Sequence, residues 1–141
     1  MNNGTAGRLW LAPIAVFVIV FGTEFLGSFV PPDSRAPIRP VGDALCLAIV
    51  AWLTVWCARR ATPRVAFWYG AVTGAAYMVA TPLGWAFGVS ASLRAEGAKG
   101  PPISDLGSAL YLWLPFLALV AGLTVGGLMA AVVRFVQLRR K

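Results

Sequence analysis

Histidine is missing from this chain, and cysteine occurs only twice, as Cys46 and Cys57. Without imidazole, and with two thiols alone, a zinc, haem or iron–sulfur centre built by one chain lacks its usual ligands. The same absence removes a Ser-His-Asp arrangement. Cys46 and Cys57 fall on nearly the same helix face but about 16 Å apart along it, too far to bond to each other in a straight helix. Acidic residues are also few, five in all. No helix carries paired carboxylates, no Gly-rich loop ends in a phosphate-binding Lys, and no Cys-x-x-Cys occurs. The sequence therefore predicts no enzyme, no cofactor and no metal.

What is present is apolar. Hydrophobic residues make up 59% and charged residues 12% of 141 positions, against about 45–50% and about 25% in an ordinary soluble domain. Four apolar stretches, 9–30, 41–58, 64–89 and 106–133, predict an all-α protein: one integral membrane domain over 1–141, an antiparallel bundle of four spans. The first stretch continues for about 22 residues, beyond the roughly 7–15 of a signal-peptide core, so it reads as a retained helix.

Charge is sorted by this pattern. If all four stretches cross a bilayer, Arg8, the group Arg59, Arg60 and Arg64, and the tail Arg134, Arg139, Arg140 and Lys141 share one face. The other face holds Arg35, Arg39, Arg94 and Lys99 with all five acids, giving +8 against −1. The positive-inside rule makes the basic face cytoplasmic, with both termini there. Arg outnumbers Lys ten to two, and Ala, Gly and Val abound. That composition points to a GC-rich bacterial genome, and so to a bacterial plasma membrane. The basic excess sits at segment ends, which suits anionic lipid headgroups and not nucleic acid.

Local signals set the connections. Pro31–Pro40 carries four prolines and predicts a stiff extended connector. Thr62 before Pro63 predicts a capped helix start, making the second and third helices close neighbours. Residues 90–104 read as an outer loop with Ser104 or Asp105 capping the fourth helix. Trp10, Trp56, Trp68-Tyr69, Trp85, Tyr111 and Trp113 read as interfacial anchors.

Three sets of residues are candidates for function. Glu24, about 9 Å inside the outer end of the first span, is either an intramembrane proton or cation group, or an interfacial carboxylate paired with Arg35 or Arg39. Gly70-x-x-x-Gly74 and Gly122-x-x-x-Gly126 allow helices to approach closely, within the bundle or across a homodimer. Pro82 and Pro115 interrupt the third and fourth helices and predict kinks.

Several pieces of the chain taken together resemble a bacterial module: Gly22-Thr23 in the first helix, Arg39-Pro40-Val41 with Asp43 entering the second, Arg59-Arg60-Ala61-Thr62-Pro63 at the inner turn, and Tyr77 with Pro82-Leu83-Gly84 in the third. They resemble the four-helix membrane domain at the amino end of sensor histidine kinases of GC-rich, actinobacterial-type bacteria. The resemblance covers about residues 12–125 and implies a sensing or partner-binding input module. It does not extend to a kinase, because the chain has no phosphoacceptor His. A non-enzymatic sensing module or small accessory subunit, with lipids and a homodimer or larger membrane complex as partners, is the expected function. The alternative is a small dimeric proton-coupled transporter using Glu24.

Overall fold

The computed structural model describes residues 10–30, 38–95 and 103–139. The described residues form four helices and no strand: α1 (Leu11–Gly27), α2 (Ile38–Arg60), α3 (Pro63–Ala95) and α4 (Ile103–Leu138). Three stretches are long and apolar enough to cross a membrane, namely α2, α3 and the Trp113–Leu138 part of α4. The fourth, α1, is apolar but has 17 residues. Beyond Gly27 the chain tightens, with the N–H groups of Ser28, Phe29 and Val30 donating to carbonyls three residues back.

The helices outrun several of the apolar spans. Ile38, Arg39 and Pro40 belong to α2 and not to an extended connector. Pro40 is tolerated because a first-turn N–H has no partner within the helix to lose. At the far end of α3, residues 90–95 are helical and not loop. There the Ser90 and Ser92 hydroxyls donate to the carbonyls of Ala86 and Val89, so they bond back along the helix and do not break it. Helix α4 starts at Ile103, which puts Ser104 and Asp105 in its first turn. The rest of both outer connections, 31–37 and 96–102, lies outside the described residues.

The turn between α2 and α3 follows its sequence. The Val65 N–H donates to Thr62 Oγ1 at 3.4 Å, and Pro63 opens the helix. This side-chain acceptor serves one of the donors that every helix start leaves unpaired.

Helix α3 packs most extensively against α4 and then against α1, whereas α2 touches its neighbours least. Small residues explain the difference. A Cβ added at Gly70 would lie 2.8 Å from the Gly126 Cα, and one at Gly122 would lie 2.7 Å from the Ala71 carbonyl oxygen. Farther along, α3 presents Gly84 to Phe21 and Glu24 of α1, where a Cβ would meet the Phe21 carbonyl oxygen at 2.7 Å. Backbones this close gain dispersion contacts that larger side chains would prevent.

One buried cluster joins Ala12 of α1, Leu53 and Cys57 of α2, Tyr69 of α3, and Met129 and Val133 of α4. Beside it the Gln137 side-chain amide donates to the Ala61 carbonyl at 2.8 Å, fastening the end of α4 to the α2–α3 turn. A second cluster holds Val16 and Val20 of α1, Cys46 of α2 and Ala80 of α3. Outward faces are apolar too: Leu47, Trp52, Trp68, Trp113 and Leu128 are each more than half exposed. Apolar surface of this extent suits contact with lipid, which carries no cost for it.

Candidate functional site

Glu24, Arg39, Asp43 and Tyr77 lie close together where α1, α2 and α3 meet. Because α2 begins at Ile38, Arg39 stands on its first turn opposite α1, and its Nε lies 3.4 Å from Glu24 Oε1. The carboxylate is 18% exposed and the guanidinium 67%, so the pair reaches outward from the bundle edge. Of the two partners expected for Glu24, Arg39 is the one described in contact with it. Arg35 lies outside the described residues.

One turn further along α2, the Tyr77 hydroxyl of α3 donates to Asp43 Oδ1 at 2.8 Å. Both side chains are half-buried. Gly42, beside Asp43, makes this approach possible, since α2 rests there on the Thr23 side chain of α1: a Cβ at Gly42 would come within 2.7 Å of Thr23 Cγ2. Residues that carried separate expectations in the sequence thus converge here: Thr23 and Glu24 from α1, Arg39 and Asp43 from α2, Tyr77 and Gly84 from α3. At Gly22, the other half of the Gly-Thr pair, an added Cβ would meet nothing within 4 Å.

Below the Asp43–Tyr77 pair, α2 stands away from α3 and α4 and leaves a groove of about 450 Å³. Its walls include Val50 and Thr54 of α2, Thr73 and Gly74 of α3, and Val125 and Met129 of α4. The two threonine hydroxyls donate to carbonyls of their own helices, Thr54 to Val50 and Thr73 to Tyr69, so they offer the groove mainly their methyl groups. Its rim carries Leu47 and Leu128, which are 70% and 63% exposed. The groove therefore opens sideways between α2 and α4, and its polar groups are concentrated at the Asp43 end. From Asp43 to Thr54 it follows α2 for about 16 Å. A volume of this size lies within the range of small-molecule sites.

The other sequence candidates lie elsewhere. Gly70 and Gly74 meet Gly126 and Ala121, and Gly122 meets Ala71, all between α3 and α4 of the same chain. Pro82 and Pro115 are each inside a continuous helix. Arg59, Arg60 and Arg64 are exposed around the α2–α3 turn. Trp52 and Trp56 form a shallow hollow of about 310 Å³ beside the first two. The Arg139 guanidinium lies over the Phe135 ring at 4.4 Å, while Arg140 is outside the described residues. Tyr69, expected as an interfacial anchor, is buried and meets the Trp10 ring edge-on.

Sequence reading passed over Asp43 and Tyr77 as a pair. Asp43 counted as an outer-face charge and as part of the motif entering the second helix, and Tyr77 only as part of another motif. A usable signal was nevertheless present, since Tyr77 stands in the middle of a span, far from either interface where an exposed phenol finds water.

Comparison with known proteins gives no match to any family model, curated protein or solved structure.

Proposed function

We propose that this chain is a non-enzymatic, four-span membrane protein that senses an apolar ligand through the groove beside α2. The observation that carries the reading is the uneven packing: α3 is locked to α4 and α1 by glycine contacts, while α2 stands off and leaves a ligand-sized space. The moving part is then α2, and not the proline-bearing pair α3 and α4. An occupant of the groove binds one position of α2 better than another and shifts the balance between them.

Several observations support a fourth span and shared sidedness. With its tighter last turn, α1 reaches about 30 Å, the thickness of a hydrocarbon core. The cluster of Ala12, Cys57, Tyr69 and Val133 gathers the start of α1, the end of α2, the start of α3 and the late part of α4. The Arg59, Arg60, Arg64 and Arg139 side is the cytoplasmic one by the positive-inside rule. The gathering of the resemblance-bearing residues Thr23, Arg39, Asp43, Tyr77 and Gly84 around one site supports an input-module reading. The transporter alternative rests on Glu24, which spends its charge on Arg39 at the bundle edge.

The test is a distance measurement. Spin labels at Leu47→Cys and Leu128→Cys, in a chain with Cys46 and Cys57 replaced by Ser, report the width of the groove in nanodiscs. Sensing predicts a distribution that shifts when an alkyl-chain ligand is added. An unchanged distribution at saturating ligand overturns the reading.

A further inference from the structure

The groove has one chemically distinct end, and that end is anionic. Asp43 closes it, accepting one hydrogen bond from Tyr77. A carboxylate offers about four acceptor positions, so a single phenolic donor leaves it capacity for another partner. The one described cation nearby, Arg39, stands one helical turn away and is directed to Glu24. Glu24, Arg39 and Asp43 together carry a net charge of −1. The rest of the wall is mostly apolar, and Leu47 and Leu128 at its rim are largely exposed.

We infer that the groove binds a single-tailed amphiphile with a cationic head, the head at the Asp43 carboxylate and the tail along α2 toward Thr54. This rests on the ligand-sensing reading above and names the ligand class. The tail follows from the lining, since each methylene buried against Val50, Val125 and Met129 gains about 0.8 kcal/mol relative to water. The charge of the head follows from Asp43: an anionic head would be repelled there, and a neutral one would leave the half-buried carboxylate with the Tyr77 hydroxyl as its one described donor. A two-chain bilayer lipid fits less well, because the space is a single trough of about 450 Å³ along one helix.

The experiment uses the full chain in a neutral maltoside detergent and counts bound tails by native mass spectrometry. Dodecyltrimethylammonium, dodecyl sulfate and a neutral dodecyl ether share one tail and differ in head charge. The expected result is a preference for the ammonium of roughly tenfold, equivalent to about 1.4 kcal/mol. That preference falls to the level of the neutral tail in Asp43→Asn and persists in Tyr77→Phe. Leu128→Trp, a change at the exposed rim, lowers binding of all three. Equal binding of the three tails, with Leu128→Trp still blocking them, overturns the cationic ligand and leaves the groove reading standing. Binding that ignores Leu128→Trp overturns both. Phosphatidylethanolamine that displaces the ammonium tail at equal concentration overturns the single-tailed source. If Asp43→Asn does not fold, the head-charge series on the unaltered chain decides alone.

Discussion

The Tyr77 hydroxyl and the Asp43 carboxylate, 34 positions apart in the chain, meet at 2.8 Å and form a side-chain link between α2 and α3. Interhelical hydrogen bonds in membrane proteins contribute about 0.6 kcal/mol on average and about 1.7 at most. A bond to a half-buried carboxylate belongs at the upper end of that range. Tyr77→Phe should therefore lower stability by about 1–1.7 kcal/mol in reversible unfolding from mixed micelles. Asp43→Asn, which keeps an acceptor, should cost less of this bond. A Tyr77→Phe variant as stable as the parent would show that α2 is held by something else.

The glycines give a sharper contrast. At Gly126 an added Cβ would come within 2.6 Å of the Phe67 carbonyl oxygen, whereas at Gly127 it would meet nothing within 4 Å. Gly126→Ala should force α3 and α4 apart at a cost of about 1–3 kcal/mol. Gly127→Ala should be neutral or stabilising by up to about 1 kcal/mol, because Ala is the better helix former. Thermal midpoints of the two variants in one detergent check this, and equal midpoints would contradict the packing described.

Glu24 and Arg39 form a weaker association. With the guanidinium two-thirds exposed, the pair should contribute less than about 1 kcal/mol, and less again at high salt. Glu24→Gln should thus leave the unfolding midpoint nearly unchanged. In proteoliposomes it should also leave any passage of lipophilic cations indifferent to an imposed proton gradient. Proton-driven uptake in the parent that disappears in Glu24→Gln would instead establish the transporter alternative.

Sidedness is open to a direct test. Reporter tags at either terminus and an epitope inserted between Arg60 and Ala61 should all face the cytoplasm. Replacing Arg59, Arg60 and Arg64 with Ala should produce a mixed population, because a basic inner turn is a main determinant of orientation. A tag at the amino end found outside, with the carboxyl end inside, would remove α1 from the set of spans.

These features differ in how far they could be read from the chain. Helices were legible because runs of apolar residues this long have few other outcomes, and Thr62-Pro63 stated its own cap. Helix ends were less so: Pro40 and Ser90 look like breakers by residue type, yet a first-turn proline and a back-bonded serine are both compatible with helix. The glycine spacing announced close approach but not its partner, since contact within a chain and contact between chains need the same surface. The groove was not legible, because it arises from what α2 fails to touch, and no residue on α2 encodes that gap. Asp43 and Tyr77 were missed for a related reason: a pair 34 residues apart is created only by the angle at which two helices cross.

Held near both ends and facing open space on its groove side between them, α2 has the mechanics of a clamped beam. Asp43 and Gly42 pin it near one end, and Leu53, Cys57 and Ala58 pin it near the other. The softest deformation of such a beam is bowing at midspan, around Leu47 and Val50, where the groove lies. Because Gln137 grips the carbonyl of Ala61 just past the lower clamp, any rotation of that clamp is carried as torque into the final turns of α4.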